Sequence, residues 1–168
     1  MCAATVVINE YNGAGADKTA NITNSNMGST DAVNLNPVTY PVVPGANTYE
    51  KFQKIDVTSM GGSSKIDNLK IWRTGALGGT AVHLTNARTA SYAGAAVYAQ
   101  PTTSVSLLAT ETMPSSVSAT ANLGIAGTLA GSLTTEGLSD YLVHQIQTNV
   151  ADVVGSTSTM NYQYDETA

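Results

Sequence analysis

The sequence is a succession of short runs rich in β-branched and aromatic residues, each stopped early by Gly, Pro, Asn or Ser. A chain punctuated this way leaves little room for long helices and reads as strands joined by turns. Strand candidates are Thr5 to Ile8, Thr48 to Thr58, Ile66 to Arg73, Ala81 to Leu84, Val97 to Gln100, Ser104 to Ala109, Ser139 to Thr148 and Thr159 to Tyr164. The spacing predicts an all-β chain, an antiparallel β-sandwich, Ig-like or jelly-roll-like, of about seven or eight strands. At 168 residues the chain fits a single domain spanning 1–168.

Alternation assigns the faces. Leu69 and Ile71 point one way while Lys70 and Trp72 point the other, and Lys65, Lys70 and Arg73 read as the solvated side of that strand. Phe52 falls out of phase with Ile55 and Val57, so a bulge between them is expected to turn all three inward. Met60-Gly61-Gly62-Ser63-Ser64 reads as the turn of a hairpin joining Thr48–Thr58 to Ile66–Arg73. Leu142, His144 and Ile146 share a face. The candidate core is therefore Phe52, Ile55, Val57, Leu69, Ile71, Trp72, Leu142, Ile146 and Tyr162. Met113 to Gly137, built of Ser, Ala, Thr, Gly and Leu, reads as loop and weak strand.

Residues 9–47 stand apart. They are rich in Asn, Gly, Ser and Thr, and Pro37, Pro41 and Pro44 forbid a helix or a central strand. An extended arm or irregular loop is expected, with Val33, Leu35, Val38, Tyr40 and Val42 as apolar anchors for a subunit interface. An arm of this kind adds a strand to an open sheet edge through main-chain bonds and tolerates a bland sequence.

Charged residues make up 11% of the chain and the net charge is −5. The average charged share is about 25%, so the polar surface here comes from Thr, Ser, Asn and Gln. Such a surface suits packing against neighbours, and equally a secreted domain with a neutral exterior. The seven Lys and Arg are scattered, which argues against a nucleic-acid face. No run approaches the ~20 apolar residues of a membrane helix. Cys2 is the only cysteine, so no internal disulfide or multi-cysteine zinc site is expected. The start lacks the basic and apolar regions of a signal peptide, so the expected setting is a cytoplasm.

The search for chemistry finds no constellation. His83 and His144 have no Cys, Asp or Glu at ligand spacing and read as structural histidines. No phosphate-binding glycine loop or nucleophile elbow is present. Asp165-Glu166, or Glu136 with Asp140, offer too few oxygens for calcium on their own. The expectation is a non-enzymatic chain with no catalytic residue, metal or cofactor.

Two segments carry a resemblance. Tyr49-Glu50-Lys51-Phe52-Gln53-Lys54-Ile55-Asp56-Val57-Thr58-Ser59-Met60-Gly61-Gly62-Ser63-Ser64, leading into Ile66-Asp67-Asn68-Leu69-Lys70-Ile71-Trp72-Arg73, is similar to virion proteins of tailed bacteriophages. So are Ser139-Asp140-Tyr141 and Tyr162-Gln163-Tyr164-Asp165-Glu166. Within that group the chain most resembles capsid decoration (cement) proteins; the middle, Ala76 to Gly137, has no counterpart. The resemblance implies a small β-sandwich on the capsid exterior, assembled in the host cytoplasm. Its partners would be the major capsid protein and copies of itself, a trimer being one arrangement the resemblance allows. It implies no catalytic residues. Competing expectations are a tail-tube, neck or fibre-base protein, for which the Thr48–Arg73 hairpin would line the lumen, and a carbohydrate-binding adhesin module using Trp72.

Overall fold

The computed structural model describes residues 3–13, 15–89, 109–152 and 155–168, with only the backbone of Arg88 and Thr89. The predicted strands Val97–Gln100 and Ser104–Ala109 lie outside these residues except for Ala109, which is buried. The described chain is all-β, with no helix. Its strands are β1 (Thr5–Asn12), β2 (Asp17–Thr19), β3 (Lys51–Ser59), β4 (Lys65–Thr74), β5 (Val82–Thr89), β6 (Glu111–Thr112), β7 (Ser132–Leu133), β8 (Gly137–Leu138), β9 (Tyr141–Gln147) and β10 (Thr159–Thr167).

They form two antiparallel sheets packed as a sandwich. The large sheet runs β2-β1-β3-β9-β5-β6, with β8 also against β3, and the small sheet runs β10-β4-β7. Ile55, Val57, Ala87 and Leu142 of the large sheet meet Ile66, Leu69 and Ile71 of the small one, with Met113, Leu123 and Ile125 closing the ends. Each large aliphatic side chain buried there contributes about 1.5–3 kcal/mol.

The expected hairpin between Thr48–Thr58 and Ile66–Arg73 is not formed. β3 pairs with β1, β8 and β9, while β4 pairs with β10 and β7. Residues 60–64 carry the chain from one sheet to the other. Both strands have an apolar face, and stacking those faces buries both, which in-sheet pairing would not do.

The expected bulge in β3 is absent as well. Pairing with β1 is continuous from Tyr11↔Phe52 through Ile8↔Ile55. Phe52 therefore points away from Ile55, into a second cluster on the outer face with Tyr11, Tyr141, Val143 and Ala109. Tyr141 stands edge-on to both Tyr11 and Phe52, at centroid distances of 5.4 and 5.9 Å.

Of the candidate core, Phe52, Ile55, Val57, Leu69, Ile71 and Leu142 are buried. Trp72 and Ile146 are only half-buried, a correction in both cases, while Tyr162 is half-buried but packed against the core. Trp72 alternates with Ile71 and so faces away from the intersheet core. Ile146 faces the cavity, among its lining residues. Tyr162 packs its ring on the core and keeps its hydroxyl at the edge of a cavity. Lys70 and Arg73 are not on a solvated face. The segment from Pro114 to Leu123 lies along β4: Lys70 Nζ donates to Ala119 O (3.3 Å), Arg73 N to Pro114 O (2.8 Å), and Asn122 bonds both N and O of Ile71.

Candidate functional site

The inner face of the large sheet is apolar over one half and polar over the other. Strict alternation puts Glu10 of β1, Lys51 and Gln53 of β3, His144 of β9 and His83 of β5 on that face, next to the core residues Ile8, Ile55 and Leu142. Gln53, His83 and His144 of that polar half face a cavity of about 620 Å³, lined also by Ile22, Met27, Pro37, Pro41, Val42, Ile146, Asp152 and Tyr162 among others.

His83 and His144 meet on its floor, with Nε2 and Nδ1 3.0 Å apart. The ring centroids are 5.2 Å apart. Two imidazoles aligned along an N–H···N bond place their centroids about 5.3 Å apart. A metal bound tetrahedrally by both nitrogens at ~2.0–2.1 Å would instead hold those nitrogens about 3.3 Å apart. The separation is that of a hydrogen bond, one ring donating to the other. Burial, reinforced by Arg73, lowers the His83 pKa to about 4. Burial, then His83 and Lys51, hold His144 well below the usual imidazole range. The outer nitrogens, His83 Nδ1 and His144 Nε2, are buried without a hydrogen-bond partner among the described residues.

Asp152, the carboxylate on the cavity wall, accepts from Thr80 N and Oγ1 and from Asn149 N. Those backbone bonds lower its pKa. Tyr162 donates its hydroxyl to Gln53 Oε1, and its pKa is raised by burial and by Glu10. Among the described residues no group of three or more His, Cys, Asp or Glu side chains is placed to hold a metal ion.

The rim of the cavity is the proline segment, tied to the sheet from beneath. Glu10, almost fully buried, takes Lys51 Nζ at 3.0 Å and Asn34 N at 2.9 Å on Oε1, and the Ser25 hydroxyl on Oε2. Lys51 Nζ also donates to Ala32 O at 2.6 Å. Leu35 is buried against Gly28, where a Cβ would stand 2.6 Å from Leu35 Cδ2. Residues 20–50 are thus an irregular strap docked on the chain's own sheet, not an arm extended from it.

The strap divides the five candidate interface residues. Leu35 is an internal anchor, which corrects its assignment to an interface, and Val33 and Val42 are half-buried. Val38 is 87% exposed and Tyr40 44%. Sequence reading missed Val43 and Val150, exposed at 68% and 81%. Gly45 packs against Val150 and its N–H donates to Thr148 Oγ1 (2.9 Å), joining the two loops into one apolar crest. Sequence spacing gave no sign of the Glu10–Lys51 pair or of the histidine pair, which join strands distant along the chain. The one available signal was His144 between the inward-facing Leu142 and Ile146. No helix is long and apolar enough to cross a membrane among the described residues.

No protein-family model matches the chain, and neither a curated protein nor a solved structure matches it.

Proposed function

We propose that this chain is a structural protein of a tailed-phage virion that binds the outer surface of the capsid and reinforces it through several weak contacts with capsid subunits. The observation that carries this reading is the exposure of Val38 and Val43 on the proline strap and of Val150 on the loop that Gly45 packs against. Large apolar side chains grouped in the open mark a contact surface. The low charge keeps repulsion between crowded neighbours small. Linked weak contacts gain strength through effective concentration. The resemblance of Tyr49–Ser64, and of Tyr162–Glu166 within β10, to virion proteins points to the particle. The tail-tube reading loses its support, because β3 and β4 do not form the hairpin a lumen would need.

The test is to image particles assembled with and without the chain, and to titrate purified chain onto bare shells. Wild-type chain is expected to add density outside the shell, and a Val38→Ser/Val43→Ser/Val150→Ser variant to fold normally and bind at least tenfold more weakly. Absence of the chain from the shell exterior, or its assembly into stacked rings, would overturn the proposal.

A further inference from the structure

The sheets end unequally. The large sheet is closed by β2, of three residues and carrying Lys18, and by β6, of two residues; β7 closes one side of the small sheet with two. Short or lysine-bearing edges resist pairing with other chains. β10 is different. It is nine residues long, has no Lys, Arg or Pro, and pairs only with β4 among the described residues. Its backbone is regular. The register shift in its ladder places the extra residue on β4, where Asn68 takes φ 52° and, with Leu69, faces the single Tyr164. Proteins blunt edges of this kind unless something pairs with them.

We infer that the outer edge of β10 pairs with β10 of a second copy, antiparallel and centred on Gln163, joining the two small sheets into one. Charge selects this arrangement. The acids of β10, Asp165 and Glu166, are both near its C-terminal end. Parallel pairing would set each beside its own copy. Antiparallel pairing about Gln163 uses all nine residues and sets Asp165 opposite Asn161 and Glu166 opposite Met160. Tyr162 then meets Tyr164 on the core side, and the exposed Gln163 side chains meet on the two-fold axis on the other. Pairing of identical edges is isologous and gives a two-fold dimer, not the trimer that the resemblance allows. This inference stands independently of the virion reading.

A residue on the axis meets itself, which gives a specific test. In a Cys2→Ser background, Gln163→Cys is expected to form a disulfide-linked dimer on mild oxidation, since directly opposed Cα atoms lie about 4.5–5.5 Å apart, within disulfide reach. Thr159→Cys, opposite Thr167, is not. Gln163→Glu and Gln163→Lys are each expected to weaken dimerisation tenfold or more in analytical ultracentrifugation, and an equimolar mixture to restore it. A wild-type chain that stays monomeric to millimolar concentration, a mixture that fails to associate, or a Gln163→Cys variant that crosslinks only to a capsid subunit would overturn the inference. A monomer that still coats shells would sink it while sparing the virion reading.

Discussion

His83 of β5 and His144 of β9 share a hydrogen bond of 3.0 Å although neither stands directly opposite the other, His83 facing Ile146 and His144 facing Thr85. One proton lies between the rings, and protonating both would place two donors face to face. Folding holds His83 neutral down to about pH 4, whereas an unfolded imidazole takes its proton near pH ~6.5. In that window the unfolded chain binds more protons, so stability falls as pH falls. The loss from His83 alone should reach roughly 3 kcal/mol. Urea titrations between neutral and mildly acid pH should show this slope, and a His83→Gln/His144→Gln variant should flatten it. Equal slopes would mean the pair is not the sensor.

The buried Glu10–Lys51 pair should be costly to break from one side. Desolvation lowers the Lys51 pKa against the pull of Glu10. Lys51→Met leaves a buried carboxylate with only Asn34 N and Ser25 as partners, a loss of about 3–5 kcal/mol. Adding Glu10→Gln should recover part of it. Denaturation of the single and double variants reads this directly, and limited proteolysis should show residues 20–36 cut first in Lys51→Met.

Gly28 is a packing site. A methyl group there meets Leu35 Cδ2 at 2.6 Å and the Tyr40 carbonyl at 2.7 Å. Gly28→Ala should destabilise by about 1–3 kcal/mol. Leu35→Ala alone should cost about 2–5 kcal/mol. Because the two share one contact, the double variant should lose less than their sum, as thermal melts would show.

Phe52 is fully buried yet lies outside the intersheet core. Phe52→Ala should still cost about 3–5 kcal/mol. A value near that of a surface substitution, read by chemical denaturation, would deny the outer cluster any weight in the fold.

Much of the sandwich was legible, because short alternating runs and turn residues are local signals. Ile55, Val57, Leu69, Ile71 and Leu142 follow from alternation alone. Which sheet each strand joins was not legible. A short glycine-rich link can close a hairpin or cross a sandwich, and only the partner strands decide. Phe52 misled for a related reason: a strand read as having one buried face has two, and the second is covered by Tyr11 and Tyr141 from distant parts of the sequence. The candidate site was the least visible. Val38 and Tyr40 looked like their neighbour Leu35, and the small Gly28 beneath Leu35 is what separates anchor from crest. His83 and His144 are 61 positions apart, beyond any motif spacing.

The passage of residues 60–64 from one sheet to the other also shapes how the polypeptide must fold. β4 finds its principal neighbour not in β3 but in β10, near the far end of the sequence. Such remote pairing closes a long loop before it is rewarded and slows folding. Until residues 159–167 arrive, β4 has only the two-residue β7 and the 114–123 segment alongside, and the half-built small sheet leaves Ile66, Leu69 and Ile71 poorly covered. Deleting that last strand should therefore leave a sticky, chaperone-dependent intermediate rather than a smaller stable protein.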